Sequence, residues 1–299
     1  MRTRKLDFNV EAIDPVHVSG APALADCDLM SPYVWKEGKS FAMMFRACPT
    51  PLATAKTTGS IYYATSRDGL KFHARKTPSI APDPDGDDAG GCEDPTVVKW
   101  RGKYFVYYTG VDATRSSGQM LYATGPSIAR LKKTGVAHKS SKTEGNTKEA
   151  TVERTAGGRW RLFYEYAHDD ASLIGLALGS GVAGPWREQR APFRPRKNKW
   201  DGWHLSTGPL LTSDPDRPVM FYNGATQDAR WRIGWVAFNR DCTTVVDRCV
   251  EPLIIPPPPS ERTGIDIAFA ASVVVRGKYA HLYYSLADRR LFRAIIRRS

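Results

Sequence analysis

Residues 93–110 read EDPTVVKWRGKYFVYYTG. β-Branched residues fill Thr96–Trp100, Arg101-Gly102-Lys103 turns the chain, and Tyr104–Thr109 alternates aromatic with β-branched side chains. That is the composition of a half-buried hairpin. Four other stretches follow the same plan: DLMSPYVWKEGKSFAMMFRA from Asp28, KEATVERTAGGRWRLFYEYA from Lys148, STGPLLTSDPDRPVMFYNGA from Ser206, and AFAASVVVRGKYAHLYYSLA from Ala268. The starts at 28, 93, 148, 206 and 268 are 65, 55, 58 and 62 residues apart. A repeat of that period predicts an all-β, five-bladed β-propeller, with blades of about four antiparallel strands.

Third strands follow each hairpin at Ser60–Thr65, Gln119–Thr124, Ser172–Leu178, Arg232–Phe238 and Arg290–Ile296, and Asp68-Gly69 turns the chain into an outer strand at Leu70–Ala74. The chain ends after the fifth third strand, so the strand-like segment Lys5–Val18 is expected to supply the missing outer strand and close the last blade. Residues 1–299 then form one domain, since a single blade cannot bury both faces alone. Gly110–Gly118, Arg187–Trp203 and Val250–Gly264 read as long loops.

Composition narrows the function classes. Hydrophobic content of 41% and charged content of 25% fit a soluble globular protein, and no apolar run is long enough to span a membrane. The N-terminus lacks the apolar core of a signal peptide, giving a cytoplasmic expectation. Five cysteines form no CxxC or Cys/His pattern, so no metal site is predicted from them. Cys242 and Cys249 are read as buried thiols. The net charge of +12 is scattered and accompanies no nucleic-acid motif, so nucleic acid is not expected as a partner. Oligomeric state is not encoded in any feature of the chain.

A propeller gathers the ends of its innermost strands around one axis, so distant acids can meet there. Asp28, Asp94 and Glu149 precede the first strand of three successive copies. Cleaving a glycosidic bond needs one carboxyl as proton donor and another as base, and crowding raises the pKa of the donor. These three are the catalytic candidates. Glu93 is expected to point away, because strand alternation aims only one of Glu93 and Asp94 at the axis. Arg46, Trp203, His204 and Asp288 are the substrate-binding candidates, close to strand ends on the same face, where an aromatic ring can stack on a sugar. No cofactor is required by this scheme, although carboxylates on the axis suit calcium. The expected partner is an oligosaccharide or glycoside.

The chain resembles the five-bladed β-propeller glycosidases that include glycoside hydrolase families 43, 62, 32 and 130. The order Asp28, Asp94, Glu149 matches the base, pKa-tuning and acid residues of family 43, whose members invert. The closer likeness is to family 130, the mannoside phosphorylases and mannosidases. It is carried by Gly91-Cys92-Glu93-Asp94-Pro95 with Tyr104–Gly110, by IYYATSRDG at 61–69, by Gly208-Pro209 and by YYSLAD at 283–288. On that resemblance Asp94 itself is the general acid. Two departures stand out: Thr96 replaces the arginine usual after Glu-Asp-Pro, and Tyr164–Asp170 lacks the His-Arg-Pro signature. Arg46 and His204 alone make a thin phosphate cradle, so inverting hydrolysis is expected over phosphorolysis. A carbohydrate-binding propeller without turnover is the alternative from another class.

Overall fold

Every predicted hairpin forms, and each extends into an antiparallel meander. The computed structural model describes residues 6–141, 143–261 and 265–298. The first meander runs Cys27–Glu37, Ser40–Pro49, Ser60–Ser66 and Lys71–Ala74; the second Gly91–Trp100, Lys103–Val111, Gly118–Gly125 and Lys132–His138. The third runs Gly145–Arg154, Trp160–His168, Ala171–Gly179 and Trp186–Gln189. The fifth comprises Ala268–Arg276, Tyr279–Leu286 and Arg290–Arg298.

In the fourth meander the strands are broken into short pairs, His204–Ser206 continuing as Leu210–Leu211 and Asn223–Ala225 following Val219–Met220. Gly208 and Pro209 stand at the break. A side chain at Gly208 would place its Cβ 1.8 Å from the Phe221 carbonyl oxygen, so only glycine allows the two segments to approach this closely.

The N-terminal strand Phe8–Ser19 closes the ring as expected, pairing antiparallel with Arg290–Arg298 from Phe8↔Arg298 to Val16↔Leu291. Lys5, included in the sequence expectation, lies outside the described residues. The strand also does something the sequence did not announce. His17–Ser19 pairs in parallel with Lys71–His73, so one segment covers the outer edges of both the fifth and first meanders. The loop expected over Val250–Gly264 is described as far as Glu261 and resumes at Ile265.

First strands of successive meanders touch around the axis: Cys27–Glu37 contacts Gly91–Trp100 and Ala268–Arg276, and Gly91–Trp100 contacts Gly145–Arg154. Buried polar side chains latch one meander to the next. Thr96 Oγ1 donates to the Ala150 carbonyl at 2.6 Å, and Thr151 Oγ1 to the Gly208 carbonyl at 2.9 Å. Asn223 accepts from the Ala270 amide at 2.7 Å, while Ser272 Oγ donates to the Pro32 carbonyl at 2.7 Å. Each such bond contributes about 1 kcal/mol and fixes the angular position of a strand. Between the meanders lie aromatic cores. Tyr107, Phe163, Tyr222 and Tyr283 are fully buried, as expected for rings that pack between blades. All five cysteines are free thiols, and Cys242 and Cys249 are buried. No helix among the described residues is long and apolar enough to cross a membrane.

Candidate active site

In an ordinary strand, side chains alternate between faces. Three first strands break that rule at the same point. The register of pairing shifts between Met30 and Tyr33, between Glu93 and Thr96, and between Lys148 and Thr151. At each shift one residue takes a left-handed backbone: Ser31 (φ 52°), Asp94 (φ 50°) and Glu149 (φ 52°). Such a bulge inserts an extra residue and re-aims side chains. Consecutive residues can then face one cavity, and the pairs Met30-Ser31, Glu93-Asp94 and Lys148-Glu149 all do.

That cavity, of about 170 Å³, is also lined by Arg46, Glu165, Ser172, Trp231, Phe269 and Asp288. It brings five carboxyls and two cationic side chains together. A larger cavity of about 540 Å³ opens among the first strands, but Glu153 is its only carboxyl, beside Lys36, and the rest of its lining is uncharged. The chemistry therefore concentrates in the smaller one.

Asp94 is 8% exposed, and Ser31 Oγ donates to its Oδ1 at 2.7 Å. Glu149 is close enough to Asp94 to share a hydrogen bond. Two carboxyls can do so only if one keeps its proton. Burial, then the charges of Asp94 and Glu165, push Glu149 well above the usual carboxylate range, while Lys148 pulls it down. Of the two, Glu149 is the carboxyl whose pKa is pushed up, and the serine bond fixes the position of Asp94.

The two cations are already engaged. Arg46 Nη2 lies 2.7 Å from Glu93 Oε1, and its Nε and Nη2 donate to the Thr58 carbonyl at 3.2 and 2.9 Å. Lys148 Nζ lies 3.4 Å from Glu165 Oε1, and that carboxylate raises the lysine pKa. Gly91 permits this packing, because at φ 153° its α-carbon sits against Thr58, and a Cβ there would lie 2.1 Å from Thr58 Oγ1. Burial raises Glu93 despite Arg46, and raises Asp288 to about 6.

Of the residues singled out in the sequence, Asp94, Glu149, Arg46 and Asp288 line this one cavity. Asp28 does not line the cavity. It is half-exposed, with Arg289 Nε 3.7 Å from its Oδ2, and Ser31 occupies the place in the first meander that matches Asp94 and Glu149. Counting from the start of the repeat aligned Asp28 three residues early, because the bulge, not the strand start, sets the register. Glu93 also departs from expectation: the bulge at Asp94 cancels the alternation that would have turned it away.

Trp203 and His204 sit behind the wall. Trp203 Nε1 donates to the Asp170 carbonyl at 3.2 Å. His204 Nδ1 accepts from the Ser172 amide at 3.0 Å, and its ring stacks on Trp231 with centroids 5.5 Å apart. Trp231 and Phe269, which the sequence reading passed over, are aromatic rings that line the cavity, edge to face with centroids 5.3 Å apart. Glu165 and Lys148 were likewise missed. Both lie within strands, where nothing local distinguishes a cavity-facing charge from a solvated one. Among the described residues, the axial carboxyls do not converge as a metal-binding group of three or more.

The glycoside hydrolase family 130 model, described as β-1,4-mannooligosaccharide phosphorylase, matches residues 39–297. A 1,2-β-oligomannan phosphorylase from Thermoanaerobacter sp. (strain X514) is 24% identical over 230 residues, covering 76% of this chain and 74% of its own length. A β-1,2-mannobiose phosphorylase from the same organism is 23% identical over 273 residues, covering 87% of each. Among solved structures, the Listeria innocua β-1,2-mannobiose phosphorylase complex superposes with a TM-score of 0.76 at 16% identity, covering 96% of this chain and 91% of the other. A structure from work on family 130 glycoside hydrolases that target β-1,2-mannosidic linkages in Candida mannan gives 0.76 at 21% identity, covering 99% of this chain and 95% of the other. The bulged Glu-Asp-Pro strand and its cavity thus sit in a chain that belongs to glycoside hydrolase family 130.

Proposed function

We propose that this chain, acting as one catalytic unit, cleaves β-mannosidic bonds in the carboxyl-lined cavity by a single inverting displacement. The observation that carries the reading is the Glu149–Asp94 pair. A buried carboxyl whose pKa is raised by burial and by its carboxyl neighbours is a general acid placed to protonate the departing glycosidic oxygen. Arg46 and Asp288 offer a cation and a carboxyl to sugar hydroxyls, and Trp231 offers a ring face. The mannoside substrate is supported by kinship with the oligomannan and mannobiose phosphorylases.

The attacking group has support on two sides. Kinship favours phosphate, since the curated relatives are phosphorylases. The charge of the cavity favours water: five carboxyls face two cations, both already paired, and a phosphate dianion needs arginine or lysine free to meet it. One assay separates these. Incubation with β-1,2- and β-1,4-mannobiose, with and without phosphate, yields phosphate-dependent mannose 1-phosphate by phosphorolysis, or mannose regardless of phosphate by hydrolysis. Binding of both disaccharides without turnover under either condition would defeat the proposal and leave a carbohydrate-binding propeller.

A further inference from the structure

We propose that His138, Glu144 and Glu188 form a divalent-cation site of the zinc class at the outer seam between the second and third meanders. His138 ends the outer strand of the second meander, Glu188 lies on the outer strand of the third, and Glu144 sits in the connector between them. One donor atom from each falls within 4.8 Å of the others. Among the described residues this is the one such group of histidine, cysteine or carboxylate side chains.

The independent sign of a missing ligand is His138 itself. Its side chain is 7% exposed, and its Nε2 has no hydrogen-bond partner. Glu188 Oε1 stands 3.6 Å away, too far for a hydrogen bond. An imidazole nitrogen facing two carboxyl groups supplies the donor set of a three-ligand zinc site, and the two acids balance the charge of the ion.

Surrounding contacts hold the donors in place. The Tyr164 ring packs on the His138 ring at 4.2 Å, and its hydroxyl donates to Glu144 Oε2 at 2.7 Å, as an outer partner that orients a coordinating carboxylate. Gln119 Nε2 donates to the His138 carbonyl at 2.7 Å. Glu188, with 56% side-chain exposure, is free to swing the remaining distance. A bound cation would brace the connector that leads into Gly145–Arg154, the strand bearing Lys148 and Glu149.

The test is titration of the full chain with Zn2+ alone, and separately with Ca2+, by calorimetry and thermal melting. The expected result is one Zn2+ per chain with a raised melting temperature. Glu188→Gln, at an exposed position that leaves the fold intact, should weaken Zn2+ at least about tenfold, and His138→Gln should weaken it further. Failure of the wild type to bind one equivalent of Zn2+, preference for Ca2+, or unchanged affinity in Glu188→Gln would overturn the proposal. If His138→Gln does not fold, Glu188→Gln still decides.

Discussion

A carboxyl that keeps its proton must be surrounded by something that makes ionisation costly, and at Glu149 the cause is burial beside Asp94 and Glu165. Replacing Glu149 with Gln or Asp94 with Asn should cut mannoside turnover by about 10²–10⁴-fold, measured as kcat with melting temperature as the control for folding. Asp28→Asn, outside the cavity, should leave kcat within about twofold. Asp288 allows a prediction about stability. Its folded pKa of about 6 lies above the ordinary aspartate value of 3.8, so the folded state binds the extra proton. That contribution is complete below pH 3.8 and disappears as pH rises through 6. Asp288→Asn should therefore raise the melting temperature at pH 7.5, by an amount corresponding to at most roughly 3 kcal/mol, and change little at pH 4. Equal effects at both pH values would contradict the desolvation account. At this scale Asp94 and Glu149 were legible in the sequence, since both stand at repeat-matched positions. Glu165, Lys148 and Trp231 were not, because their role depends on which way a strand faces.

Among the elements, the bulged first strand is what turns a repeat into a site. Sequence alternation alone aims only one of Glu93 and Asp94 inward. The left-handed residue delivers both, and the same device places Lys148 with Glu149. The positions of strands were readable from aromatic and β-branched runs, but a bulge at Ser31, Asp94 or Glu149 leaves no glycine to announce it. Hence Asp28 drew attention that belonged to Ser31. Thr96, where the family resemblance leads one to look for arginine, holds the second meander to the third through the Ala150 carbonyl. Gly91→Ala tests how the strand is seated. The left-handed backbone and the 2.1 Å approach to Thr58 Oγ1 predict destabilisation of about 1–3 kcal/mol, read by chemical denaturation. Turnover should also fall, since Thr58 anchors Arg46. A stability within 0.5 kcal/mol of wild type, roughly the scale of surface substitutions, would show that the strand seats without this contact.

At the level of the whole molecule, Phe8–Ser19 ties the ends of the chain together by pairing with both the fifth and first meanders. The antiparallel half of this closure was legible, because the fifth repeat ends one strand short. The parallel half was not, since three residues, His17–Ser19, carry too little pattern to name a partner. Removing residues 1–19 would bare two sheet edges, and should lower the melting temperature by at least about 5 °C and promote association detectable by light scattering. The ring matters to catalysis because only it brings Asp94 and Glu149, 55 residues apart, into hydrogen-bond range. The most direct test of the proton held there compares two leaving groups in wild type and Glu149→Gln. Mannobiose needs its departing oxygen protonated, whereas a dinitrophenyl β-mannoside does not. The account predicts a loss of kcat/KM on mannobiose at least about 100-fold greater than on the dinitrophenyl substrate. Equal losses on both would contradict it.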